Sequence, residues 1–141
     1  MEIRICIDVD DLERAITFYT AGLGLRVGRR FQGAFVELLG AGSAIDLLLN
    51  APGTQPLVGR SDRRNYQRHW TPVHLDFVVE DIEAAVDRLQ QHGAVLEMPV
   101  TERAWGRIAG LADPFGHGLD LLQFKGRGYD ALLPQQSLSN Q

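Results

Sequence analysis

At 141 residues, 45% hydrophobic and 23% charged, the chain fits one ordinary globular domain with enough apolar surface for its own core. A net charge of −4 argues against a nucleic-acid partner, which would require clustered Lys and Arg, and no apolar run approaches the ~20 residues of a membrane span. The single cysteine, Cys6, excludes an internal disulfide and a cysteine-based zinc site.

Met1-Glu2-Ile3-Arg4 enters a structured pattern with no basic region followed by an apolar stretch, so a cytoplasmic protein is expected. Residues 2–9 alternate, with Ile3, Ile5, Ile7 and Val9 on one face and Arg4, Cys6 and Asp8 on the other, which predicts a strand. Asp10 and Glu13 then have the spacing of a helix-capping pair, and Leu12, Ala15, Ile16 and Tyr19 form a helical stripe that stops around Gly22 and Gly24. Strand-like runs follow at 25–29, 34–39 and 44–49. Residues 51–70, with Pro52, Gly53, Pro56 and Gly59, break the rhythm. Their arginines Arg60, Arg63, Arg64 and Arg68 read as part of a solvated connection. A strand at 73–79, a helix at 81–92 ended by Gly93, and strands at 95–98, 107–112 and 118–124 complete the pattern. His92 ends its helix, where a cation suits the dipole, and His117 follows a turn glycine and is expected to be exposed.

The two halves are copies. Adding 70 to Val9, Asp11, Leu12, Glu13 and Ala15 gives Val79, Asp81, Ile82, Glu83 and Ala85. Ile45-Asp46-Leu47-Leu48 matches Leu119-Asp120-Leu121-Leu122 at an offset of 74. The expected class is α+β, with one domain over residues 1–125: module one at 1–50, a connection at 51–70 and module two at 71–125. Residues 126–141 form a C-terminal tail, expected to be loosely held at its end.

His74-Leu75-Asp76-Phe77-Val78-Val79, a helix, and then Asp113-Pro114-Phe115-Gly116-His117-Gly118-Leu119-Asp120 resemble the vicinal-oxygen-chelate pattern of the glyoxalase/bleomycin-resistance/dioxygenase group. Asp11-Leu12, Phe18-Tyr19 and Leu23-Gly24-Leu25 are similar to that family's first helix and its exit. The resemblance extends over residues 2–124. It implies tandem βαβββ modules as curved sheets around a small-molecule cavity, helices outside, and a homodimer. Its metal-bearing members place ligands at four positions, which here hold Arg4, Asp46, His74 and Asp120.

Alternation places Arg4, Cys6 and Asp8 of the first strand, and His74 and Asp76 of its counterpart, toward the cavity that the resemblance implies. With Asp46 and Asp120 these make the candidate ligand-binding set. Arg4 is the main departure from the family pattern, because a guanidinium has no lone pair for a metal and stays charged. The expectation is therefore no metal cofactor, with Arg4 pairing Asp46 or Asp120 in the ion's place. A divalent metal on Asp46, His74 and Asp120 is the alternative. Four aspartates sharing one region with Arg4 would need water, shared protons or a cationic ligand as well. Cys6 reads most simply as a small apolar residue, and Trp70 and Trp105 as core, interface or cavity wall.

Three functional classes follow, and whether the protein is an enzyme stays open between them. The leading one is a metal-independent binder of a small organic molecule in the cavity between the two modules. The second is a metal-dependent lyase, isomerase or dioxygenase using Asp46, His74 and Asp120. The third is a metal-free acid/base enzyme with His74 and Asp120, or Asp46, as catalytic candidates.

Overall fold

Alternation over Ile5–Val9 gives strand β1, and the helical stripe after it gives α1, Leu12–Leu23. The computed structural model describes residues 1–134. Strands β2 (Arg26–Phe31), β3 (Phe35–Leu39) and β4 (Ile45–Leu49) finish module one. Module two repeats the order as β5 (Leu75–Val78), α2 (Ile82–Gln91), β6 (Val95–Arg103), β7 (Gly106–Ala112) and β8 (Gly118–Phe124). The architecture is α+β with two tandem βαβββ modules.

Each module makes one four-stranded sheet, ordered β1-β4-β3-β2 and β5-β8-β7-β6. The first and last strands of each module pair in parallel, and the remaining pairs are antiparallel. The duplication extends to the hydrogen-bond register. Ile5 opposes Ile45 and Cys6 opposes Asp46, while Leu75 opposes Leu119 and Asp76 opposes Asp120, the same pairs shifted by 70 and 74.

Both helices are capped by an aspartate, Asp11 in the first, one residue later than the capping pair expected at Asp10 and Glu13, and Asp81 in the second. Asp11 has extended backbone and accepts from the Arg14 N–H, and Asp81 accepts from the Ala84 N–H in the same way. Asp11 is the residue whose carboxylate can reach the N–H three positions on. Gly24 ends α1 in the left-handed conformation and donates to the Thr20 carbonyl.

The helices meet over a shared core of Val9, Ala15, Phe18, Tyr19, Ile82, Ala85 and Leu89. Gly22 faces Leu89, where an added Cβ would lie 2.5 Å from the leucine side chain, so its place is inside α1 rather than at the stop. Burial of the larger side chains here, Val9, Phe18, Ile82 and Leu89, stabilises the fold by about 1.5–3 kcal/mol each. The Tyr19 hydroxyl donates to buried Asp113 at 2.6 Å, joining the modules.

Several expectations need correction. Ile3 precedes β1 and is exposed, and β6 runs on to Arg103, well past the expected end. His117 is half-buried, because its Nε2 bonds the Asp8 carbonyl at 2.7 Å. In the tail, Gly128–Leu132 forms a 3-10 turn whose Tyr129 packs on Trp105 and Phe124, while residues 135–141 lie outside the described residues. No helix among the described residues is long and apolar enough to cross a membrane.

Candidate functional site

In module one, two of the predicted residues, Arg4 and Asp46, belong to a closed ion cluster. Arg4 grips Asp46 with two bonds, Nε to Oδ2 at 2.9 Å and Nη2 to Oδ1 at 2.6 Å, and reaches Glu37 Oε2 at 2.7 Å. Arg29 binds Glu37 from the other side at 2.7 and 3.1 Å. Glu37 and Asp46 oppose each other across β3 and β4, and both are buried. Two guanidiniums thus balance two carboxylates. The bonds from Arg29 and then from Arg4 hold the Glu37 carboxyl down at about 2. Gly28 leaves the room, since a Cβ there would lie 2.8 Å from Glu37 Oε1.

Module two holds the corresponding positions differently. His74 Nδ1 lies 2.7 Å from Asp76 Oδ1 and 3.6 Å from Asp120 Oδ2. Opposite Asp120, where module one has Glu37 opposite Asp46, stands Gly110. The missing side chain leaves a cavity of about 320 Å³ lined by His74, Asp120 and Met98, together with Arg68, Trp70 and Glu97. Burial, followed by repulsion from Asp76, raises the Asp120 pKa, while His74 opposes the shift.

The remaining two candidates flank the seam between the sheets. Cys6 and Asp8 line a second cleft of about 250 Å³, together with His74 and His117. The Asp8 carboxylate is satisfied by Asn50 Nδ2 at 2.9 Å and Arg64 Nε at 2.7 Å. The four aspartates therefore do not share one region with Arg4. Asp8 pairs with Arg64, Asp46 with Arg4, and only Asp76 and Asp120 lie together beside His74.

Sequence reasoning missed Glu37, Arg29, Arg68, Glu97 and Met98 as parts of these sites, while Trp70 takes the cavity-wall place that was one of its three expected roles. A single charge within the apolar run Phe35-Val36-Glu37-Leu38-Leu39 was the available signal for Glu37. The connection is not simply solvated, since Arg64 and Arg68 pair with Asp8 and Glu97.

This duplicated register, with acids at matching places on the closing strands, agrees with comparison to known proteins. The family model described as a glyoxalase-like domain matches residues 4–122. The chain belongs to this glyoxalase-like family. An uncharacterized protein of Mycobacterium bovis is 31% identical over 119 residues, covering 82% of this chain and 78% of its own length. Among solved structures, the fosfomycin resistance protein FosX of Listeria monocytogenes superposes with a TM-score of 0.65 at 17% identity, covering 87% of this chain and 92% of its own. A glyoxalase/bleomycin resistance protein/dioxygenase from Alicyclobacillus acidocaldarius gives 0.62 at 19%, covering 89% and 92%. At these identities the structural likeness concerns the fold.

Members of this glyoxalase-like group that bear a metal raise the question of whether the present residues would fit one. The expected set of Asp46, His74 and Asp120 is not assembled, because both Asp46 oxygens are taken by Arg4 and belong to the other module. Asp76 stands in its place: donor atoms of His74, Asp76 and Asp120 all lie within 4.8 Å of one another. One imidazole nitrogen and two carboxylates fit a divalent ion whose remaining positions go to water. Such an ion would supply Lewis acidity toward an oxygen of the bound molecule.

Proposed function

We propose that this glyoxalase-like domain binds a small organic molecule in the module-two cavity, using its own side chains and no metal. The observation that carries the reading is the contrast between Glu37 and Gly110: one register, one half filled by a neutral ion cluster and the other left open. The walls combine an apolar part, Trp70 and Met98, with the polar anchors His74 and Asp120, the usual make-up of a small-molecule site. Arg4 cannot ligate a metal and keeps Asp46 engaged, so the four-position set of the family pattern is broken here, and the reading takes His74 and Asp120 as anchors for the bound molecule itself.

The test is a thermal-shift screen of a broad compound library against wild type, Trp70→Ala and His74→Ala, with elemental analysis of the purified protein. Compounds that raise the wild-type Tm are expected to lose their effect in both variants. Equal shifts in all three proteins, or a stoichiometric metal in wild type, would overturn the proposal.

A second reading is favoured by one distance. His74 Nδ1 at 2.7 Å from Asp76 orients the imidazole, and among the described residues Nε2 has no hydrogen-bond partner, the arrangement of a general base held by a carboxylate. On this reading the domain moves a proton on the molecule it binds, with Asp76 in the role that the sequence assigned to Asp120 or Asp46.

We also infer that the working unit is a homodimer. The support is apolar surface left open on both modules, at Val27 and Phe31 of β2, Val78 of β5 and Val95 of β6.

A further inference from the structure

The cavity of module two has one wall that no sheet supplies. Trp70 and Thr71 line it, yet they belong to the connection rather than to a strand. Among the described residues, the hydrogen bonds of residues 69–73 stay within the connection. Arg68 Nη1 donates to the His69 carbonyl, His69 Nδ1 meets the Gln67 carbonyl, and the Thr71 hydroxyl donates to the Val73 carbonyl. Trp70 is 77% exposed and Val73 78% exposed, so packing holds them no better than hydrogen bonding does.

Both flanks are fixed. On the N-terminal side the Tyr66 hydroxyl donates to the Asn50 carbonyl at 2.6 Å, and the carbonyls of Tyr66 and Gln67 press against Gly116. Arg68 then reaches over Gly118 and pairs with Glu97 on β6, Nε to Oε1 at 2.6 Å. On the C-terminal side β5 begins immediately after His74. The result is a five-residue arm, pinned at both ends and unattached between them, with an indole beside the opening. Local stability falls where apolar contacts and protected hydrogen bonds are few. An exposed tryptophan at a cavity mouth is apolar surface that closure would bury.

We propose that residues 69–73 form a movable wall of the cavity, latched by the Arg68–Glu97 ion pair, which sets where Trp70 rests. The inference relies on the cavity being the ligand site proposed above, but it concerns the arm's motion. It is therefore tested without any ligand, and its failure is distinct from failure of the compound screen. Arg68 acts through Trp70 and is a positioning residue.

The chain has two tryptophans, so Trp105→Phe makes Trp70 the sole emitter. In that background Arg68→Met and Glu97→Gln each break the latch, and the exchanged pair Arg68→Glu with Glu97→Arg restores opposite charges. Both partners are about one-third exposed, so little change in global stability is expected, and the melting curves serve as the folding control. The expected result is a fall in Trp70 fluorescence anisotropy of about a third in each single variant as the arm loosens, with recovery in the exchanged pair. Should Trp105→Phe fail to fold, the Trp70 signal is taken instead as the difference between the native chain and Trp70→Phe. With all proteins compared at one concentration, unchanged anisotropy in the single variants or no recovery in the exchanged pair would overturn the proposal.

Discussion

Glu37 keeps its charge inside the protein because two guanidiniums face it, Arg29 from β2 and Arg4 from just before β1, with Asp46 alongside. Its carboxyl is held at about 2 against an ordinary value of 4.5. A lowered folded-state pKa contributes stability that is fully present above the unfolded value and lost as pH falls through the folded one. The prediction is a Tm that declines between pH 4.5 and pH 2, with a shallower decline for Glu37→Gln, whose Tm is already lower at pH 7. Calorimetric melts across that range check it, and identical pH profiles for the two proteins would refute it. At this scale the sequence was half readable. Arg4 announced itself by standing where the family pattern calls for a metal ligand, and its pairing with Asp46 follows from charge. Glu37 was hidden because alternation says which face a residue occupies and not which neighbour arrives from two strands away.

At the scale of elements, the sequence pattern located the strands and both helices where a face is buried in the core, and it located β2 as a strand-like run although that strand is exposed at every position but Gly28. The connection gave no such signal. Its anchors are single long-range contacts, Arg64 to Asp8, Arg68 to Glu97 and the backbone of Tyr66 and Gln67 against the turn that follows Asp113, and none leaves a local repeat in the sequence. That last contact can be tested. Gly116 has φ 83, and an added Cβ would lie 2.6 Å from the Gln67 carbonyl oxygen, a backbone atom unable to swing aside. Gly116→Ala is therefore expected to destabilise the fold by about 1–3 kcal/mol through left-handed strain and overpacking. Urea unfolding monitored by circular dichroism measures it, and a midpoint within error of wild type would show that the connection does not bear on this turn.

For the whole molecule, two sheets that among the described residues share no hydrogen-bonded strand pair are joined by packed helices, the Tyr19–Asp113 bond and the connection. The proposed homodimer should scatter light as a particle of about twice 15.7 kDa, and a mass near 15.7 kDa at every concentration would count against it. The tandem architecture was readable in full because duplication repeats spacing as well as residue type. The sequence reading put the cavity between the two modules, whereas the 320 Å³ cavity is lined by module two and the connection, since the two halves look alike until side chains are placed. That likeness has a consequence for engineering. With a common register in both sheets, the frame has two equivalent sockets, one plugged by Glu37 and its arginines and the other open at Gly110. Within the sheets the difference between the sockets is a few side chains, so Glu37→Gly with Gly110→Glu is the natural starting point for opening a second cavity in the opposite half, one that would lack the wall the connection gives to the first.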